Sequence, residues 1–243
     1  MTSARHNIPA SIELSPKQVL DKEDAYVGIP KGTSVYLVDV GTETDDRFAS
    51  AATRLKSVGL NPVPHFAARR FKSISAFESR LKAMAQSAQI TQVLAIGGGS
   101  DRPNGPFSST MEMLNTGLFE HYGIRKIGVA GHPEGSPDFS NEIAITTLLE
   151  KQAYASRTSL DFYIVTQFGF DARSFITWAE SLRSHGVHLP VHIGVSGPAK
   201  FTSLMKYAVI SGVGNSLRFL KRNALSVTTL ASGFDPESVV KPI

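Results

Sequence analysis

The sequence predicts an α/β fold, a TIM-type (β/α)8 barrel with an eighth unit short of a full closing helix. Three observations carry that expectation. β-rich runs alternate with segments of helical apolar spacing along the whole chain, and alternation of this kind forces a parallel sheet. No linker or low-complexity stretch interrupts the array, so residues 1–243 read as one barrel domain. Seven strand–helix units fit within the 243 residues, more than the five or six strands usual in an open doubly wound sheet.

The elements follow in order. ASIEL (Ala10 to Leu14) is a short strand ended by Ser15-Pro16. SVYLVDV (Ser34 to Val40) is β-rich, and DDRFASAATRLKSVG after it has helical spacing and stops at Gly59. PVPHF leads to SAFESRLKAMAQSA, and QVLAI leads to a glycine loop and the helix SSTMEMLNTGLFEHYG. KIGVAG precedes NEIAITTLLEKQAYAS, DFYIVTQ precedes ARSFITWAESLRSHG, and PVHIGV precedes AKFTSLMKYAVISG. After GNSLRFLKRN one strand is expected around Leu225 to Leu230.

Composition narrows the function. A formal charge of +4 from scattered basic residues, with no arginine-rich arm, argues against nucleic acid but suits an anionic small molecule. The absence of cysteine removes disulfides, thiolate chemistry and Cys-type metal sites. No apolar run reaches the roughly 20 residues that span a membrane, and the N-terminus lacks a signal-peptide core, so a cytoplasmic protein is expected. His188 and His192 are four apart with Pro190 between them, a spacing that chance supplies readily, and no metal is expected.

Barrel chemistry sits at the C-terminal ends of the strands. There the sequence places Glu13, Asp39, His65, Gly97-Gly98-Gly99, His132 with Glu134, Gln167 and the GVSGP loop. A glutamate inside an apolar strand costs several kcal/mol unless paired. Burial also raises its pKa, as a general acid requires. His65 reads equally as a strand-end cap or a ligand contact. Gln167 is neutral and suits hydrogen bonds to an amide-like ring. The polyglycine loop lacks the Lys-Ser/Thr of a P-loop and the spacing of a dinucleotide fingerprint.

VAGHPEGSPDFSN and IVTQFGFD make the chain resemble the methylenetetrahydrofolate reductases, flavoprotein barrels that reduce 5,10-methylenetetrahydrofolate to 5-methyltetrahydrofolate. The similarity runs from about Ser11 to Asn223. It implies FAD as cofactor, NADH or NADPH as donor, a tetrahydrofolate derivative as substrate, and a monomer or small homo-oligomer. Ser11-Ile12-Glu13 with Pro16 matches the family's first strand end, so the resemblance makes Glu13 the general acid. On the cofactor it places Asp39, His65, Gly97, Gly98, Gly99, Phe107, Ser108, Ala130, His132, Ser136 and Lys151. Lys151 matches a helix lysine that reaches the flavin phosphates. On the substrate it places Gln167 at the pterin, Phe201 stacked on folate or nicotinamide, and Asp101.

Several positions depart from the family. Gly97-Gly98-Gly99 stands where the family has Arg-Gly-Asp, and the nearest carboxylate, Asp101, comes two positions later. Asp39 replaces a flavin-contacting threonine, Ser136 a flavin-contacting histidine, His132 a tyrosine, and Glu150 an arginine beside Lys151. Several of these changes fall on the flavin side, and three other readings stay open. One is direct hydride transfer from the nicotinamide without flavin. Another is a non-catalytic folate-binding barrel. The last takes GVSGP and GVGNS as the phosphate site of a barrel lyase or isomerase, for which no strand-end lysine is found.

Overall fold

The computed structural model describes residues 9–39, 41–99, 102–136, 138–197 and 237–241. Seven parallel-type strands alternate with helices, and strand order follows chain order from β1 to β7, the progression of a (β/α)8 barrel. The expected strand at 225–230, the helix beginning AKF, Phe201 and Asp101 lie outside the described residues. Contacts cluster in two compact units, Met1–Gly128 and Val129–Ile243. Among the described residues no helix is long and apolar enough to cross a membrane.

In the first unit β1 (Ile12–Leu14) is followed at once by α1 (Pro16–Asp21). Ser15 and Gln18 form a reciprocal capping box there, and Pro16 occupies the first turn, where its missing N–H costs nothing. Ser15-Pro16, expected only as a strand stop, therefore also starts a helix. β2 (Ser34–Leu37) leads to α2 (Asp45–Ser57), capped by Thr44, with Asp45 and Asp46 in its first turn and Arg54 and Lys56 in its last. That charge order complements the helix dipole. β3 (Asn61–Ala67), α3 (Ile74–Ala88) and β4 (Gln92–Ile96) complete the pattern.

The helix expected over SSTMEMLNTGLFEHYG is two short ones, α4 (Thr110–Leu114) and α5 (Leu118–His121). Gly117 at φ 70 sits between them, a left-handed conformation that a continuous helix cannot contain. The core of this unit is aromatic. Phe77 meets Phe66, Phe107 and Phe119 edge-on, with ring centroids 5.8, 5.7 and 5.2 Å away.

β5 (Lys126–Gly131) leads into the second unit, where α6 (Asn141–Ala155), β6 (Asp161–Gly169), α7 (Ala172–Ser184) and β7 (Val191–Val195) continue the alternation. A short α8 (Glu237–Val240) contacts α7, and its Val239 is buried. β6 pairs with β7 in parallel, with a register shift between Val165 and Phe168. Gly131 ends β5 where an added Cβ would lie 2.5 Å from Ile164 Cγ2 and 2.7 Å from Trp178 Cη2, so β5, β6 and α7 approach too closely there for any side chain.

Candidate active site

In the first unit the parallel register sets Glu13 opposite Tyr36 and Tyr36 opposite Val63. Side chains alternate along a strand, so His65, two residues beyond Val63, shares the face with Glu13 and Tyr36. His65 Nε2 stands 3.7 Å from Glu13 Oε2, beyond hydrogen-bond length, and Tyr36 meets the imidazole edge-on at 6.1 Å. The two partners differ in solvent access: 6% of the His65 side chain is exposed and 59% of the Glu13 side chain.

Burial alone raises the Glu13 carboxyl above its ordinary value. The carboxylate is crowded by surrounding atoms and still reached by water, and that access moderates the shift. Its direction is the one a general acid needs. Burial pushes His65 down to about 4, with Asp39 opposing and Arg70 adding to the fall. The imidazole is therefore neutral at pH 7. Its Nε2 is buried without a hydrogen-bond partner.

Asp39 follows the end of β2 with only 2% of its side chain exposed. Its Oδ1 accepts from Gly41 N at 2.8 Å and from Arg70 Nη1 at 3.0 Å, and Oδ2 accepts from Arg80 Nη1 at 2.7 Å. Arg70 also donates to the Asp39 carbonyl, and Arg80 Nε donates to Asp45 at 2.5 Å. The Arg80 guanidinium lies over the rings of Phe48 and Phe71, 5.1 and 4.9 Å from their centroids. The carboxylate expected at the cofactor is thus taken up by two guanidiniums. Sequence reading missed both arginines, because they come 31 and 41 residues after Asp39 and carry no local signal.

The glycine loop after β4 is open. A Cβ on Gly97 or Gly99 would meet nothing within 4 Å, whereas Gly98, at φ +87, would meet Ala67 Cβ at 3.2 Å. Phe107, expected at the cofactor, is buried in the aromatic core beside Phe77. Ser108 accepts at its carbonyl from Arg69 Nε at 2.9 Å, and its hydroxyl donates to Glu112 at 2.8 Å.

In the second unit Ala130 lies within β5 and His132 just beyond it, edge-on to Phe139 at 5.0 Å. Burial, and then the Lys151 charge, hold His132 down at about 4, while Asp138 opposes. Lys151 is only 6% exposed on the inner side of α6. Burial brings it to about 8, with Glu150 partly offsetting the fall. Ser136 accepts at Oγ from Asp138 N at 3.2 Å.

Gln167 lies inside the register shift of β6, next to Thr166, whose hydroxyl accepts from Gly194 N at 2.8 Å. A bulge of this kind re-aims a side chain that regular alternation would fix. Thr166 was not anticipated, since nothing in YIVTQ marks a bulge. His192 lies tilted against Tyr163, 4.4 Å between centroids.

The family model described as methylenetetrahydrofolate reductase matches residues 19–221. "Methylenetetrahydrofolate reductase 1" of Schizosaccharomyces pombe is 38% identical over 88 residues, which cover 36% of this chain. The aligned stretch spans 14% of that longer protein. The family model covers most of the chain, which therefore belongs to the methylenetetrahydrofolate reductase family.

Proposed function

We propose that the protein reduces 5,10-methylenetetrahydrofolate to 5-methyltetrahydrofolate with NADH or NADPH, through FAD. The observation that carries this reading is Glu13, a strand-end carboxyl whose pKa is raised by burial while water still reaches it. The substrate's five-membered ring must open before its methylene can accept hydride. Glu13 would give its proton to N10 as the bond from N10 to the methylene carbon breaks, leaving a 5-iminium cation. Hydride addition to that carbon then forms the N5-methyl group. One hydride and one proton enter, and NAD(P)⁺ leaves. Gln167 would fix the pterin through its amide, and Phe201 would stack on the planar partner.

The residues fit a flavin dinucleotide by their donor chemistry. Lys151 is a buried cation whose charge burial disfavours, and a phosphate beside it would favour that charge. Gly97 and Gly99 leave the β4 loop open to close approach by a ring or phosphate. FAD supplies the two-electron relay between nicotinamide and folate. His132 is neutral and would border the cofactor without adding charge.

The test is a pair of anaerobic half-reactions on the purified protein supplied with FAD. NADH or NADPH should bleach the visible flavin band, and methylenetetrahydrofolate should restore it with 5-methyltetrahydrofolate as product. Failure of both steps would remove the reading. Asp39 favours a second one, direct transfer from the nicotinamide, because the carboxylate at a flavin-contact position is held by Arg70 and Arg80. Product formed at equal rate without any flavin would establish that alternative.

A further inference from the structure

In the first unit a buried imidazole nitrogen faces a carboxyl that water still reaches. His65 Nε2 is buried without a hydrogen-bond partner, and the Glu13 carboxyl accepts no hydrogen bond among the described residues. They are 3.7 Å apart. Closing to an ordinary N–H···O length requires a movement of about 0.8 Å. A buried polar atom left without a partner is costly, so the pair has reason to close.

We propose that His65 is a positioning residue for Glu13: its Nε2–H donates to Glu13 Oε2 and turns the other oxygen outward. The inference builds on the general-acid role argued for Glu13. Once the proton has left, the carboxylate needs a donor, and the neutral imidazole supplies one without competing as an acid. The charged and titratable groups acting on the imidazole are Asp39 and Arg70, with Glu13 facing its Nε2 and Tyr36 lying edge-on to it. The opposed influences of Asp39 and Arg70 do not overcome burial, so His65 stays neutral through the working range. Solvent access to Glu13 lets water restore its proton between turnovers. The imidazole face is left for a cofactor.

The experiment reads Glu13 directly in ligand-free protein, by carboxyl ¹³C NMR titration with the signal assigned through E13Q. His65→Phe removes the donor and should raise the Glu13 midpoint by about one pH unit. His65→Gln keeps an N–H and should leave the midpoint near that of the unmodified protein. An unchanged midpoint in both variants would overturn the proposal. Imidazole ¹⁵N NMR covers the case in which His65→Phe does not fold. It should show protonated Nε2 in the unmodified protein, with a hydrogen-bond shift that disappears in E13A. Nε2 unprotonated, or indifferent to E13A, would likewise overturn it. Because neither measurement contains folate or nicotinamide, loss of the reductase reading alone would leave these results unchanged.

Discussion

A carboxylic acid that must deliver a proton near neutral pH needs a pKa above the ordinary carboxylate range, and Glu13 is shifted in that direction by burial alone. The acid form is the active one. Folate reduction should therefore decline as pH rises through the raised Glu13 pKa, and that limb should vanish from the kcat profile of Glu13→Gln. The same variant should slow folate reduction about 10²–10⁴-fold, while nicotinamide oxidation by an artificial acceptor continues. Equal loss of both activities would make Glu13 structural. Glu13 could be singled out from sequence because a charge inside an apolar strand demands an explanation. His65 could not be resolved in the same way. The role proposed for it depends on Glu13, which comes from a strand 52 positions earlier and two places away in the sheet.

The end of β2 is held by one carboxylate that serves two arginines and a backbone N–H. Removing it leaves two part-buried guanidiniums without their shared partner. Asp39→Ala should cost about 3 kcal/mol or more in urea unfolding. Asp39→Thr, the residue the family resemblance favours, should also destabilise, because a hydroxyl cannot neutralise Arg70 and Arg80. A neutral result for both would mean that the network contributes nothing net. The alternation of elements was legible because its periods, two for strands and 3.6 for helices, are local properties of the chain. The pieces that were not legible depend on single residues. Ser15 and Gln18 build α1 where only a strand stop was read, and Gly117 divides one expected helix into α4 and α5. The shift that holds Gln167 is a pairing feature of β6 with β7 and has no signature in β6 itself.

Across the whole molecule, two histidines kept neutral by burial link stability to pH. His65 and His132 are both lowered from 6.5 to about 4, so the folded protein binds fewer protons than the unfolded chain between those values. Their contribution is complete above about pH 6.5 and is lost as pH falls toward 4, on the order of 3 kcal/mol for fully buried His65. Chemical denaturation at pH 7 and pH 4.5 should show that loss, and His65→Gln should flatten it. An unchanged slope in that variant would assign the acid sensitivity elsewhere. The family assignment and the strand-end acid together predict one overall reaction. Steady-state formation of 5-methyltetrahydrofolate from methylenetetrahydrofolate, with FAD supplied and NADH or NADPH as donor, tests it most directly. The unmodified protein should make the product and Glu13→Gln should make it far more slowly; no product with either donor would contradict the account.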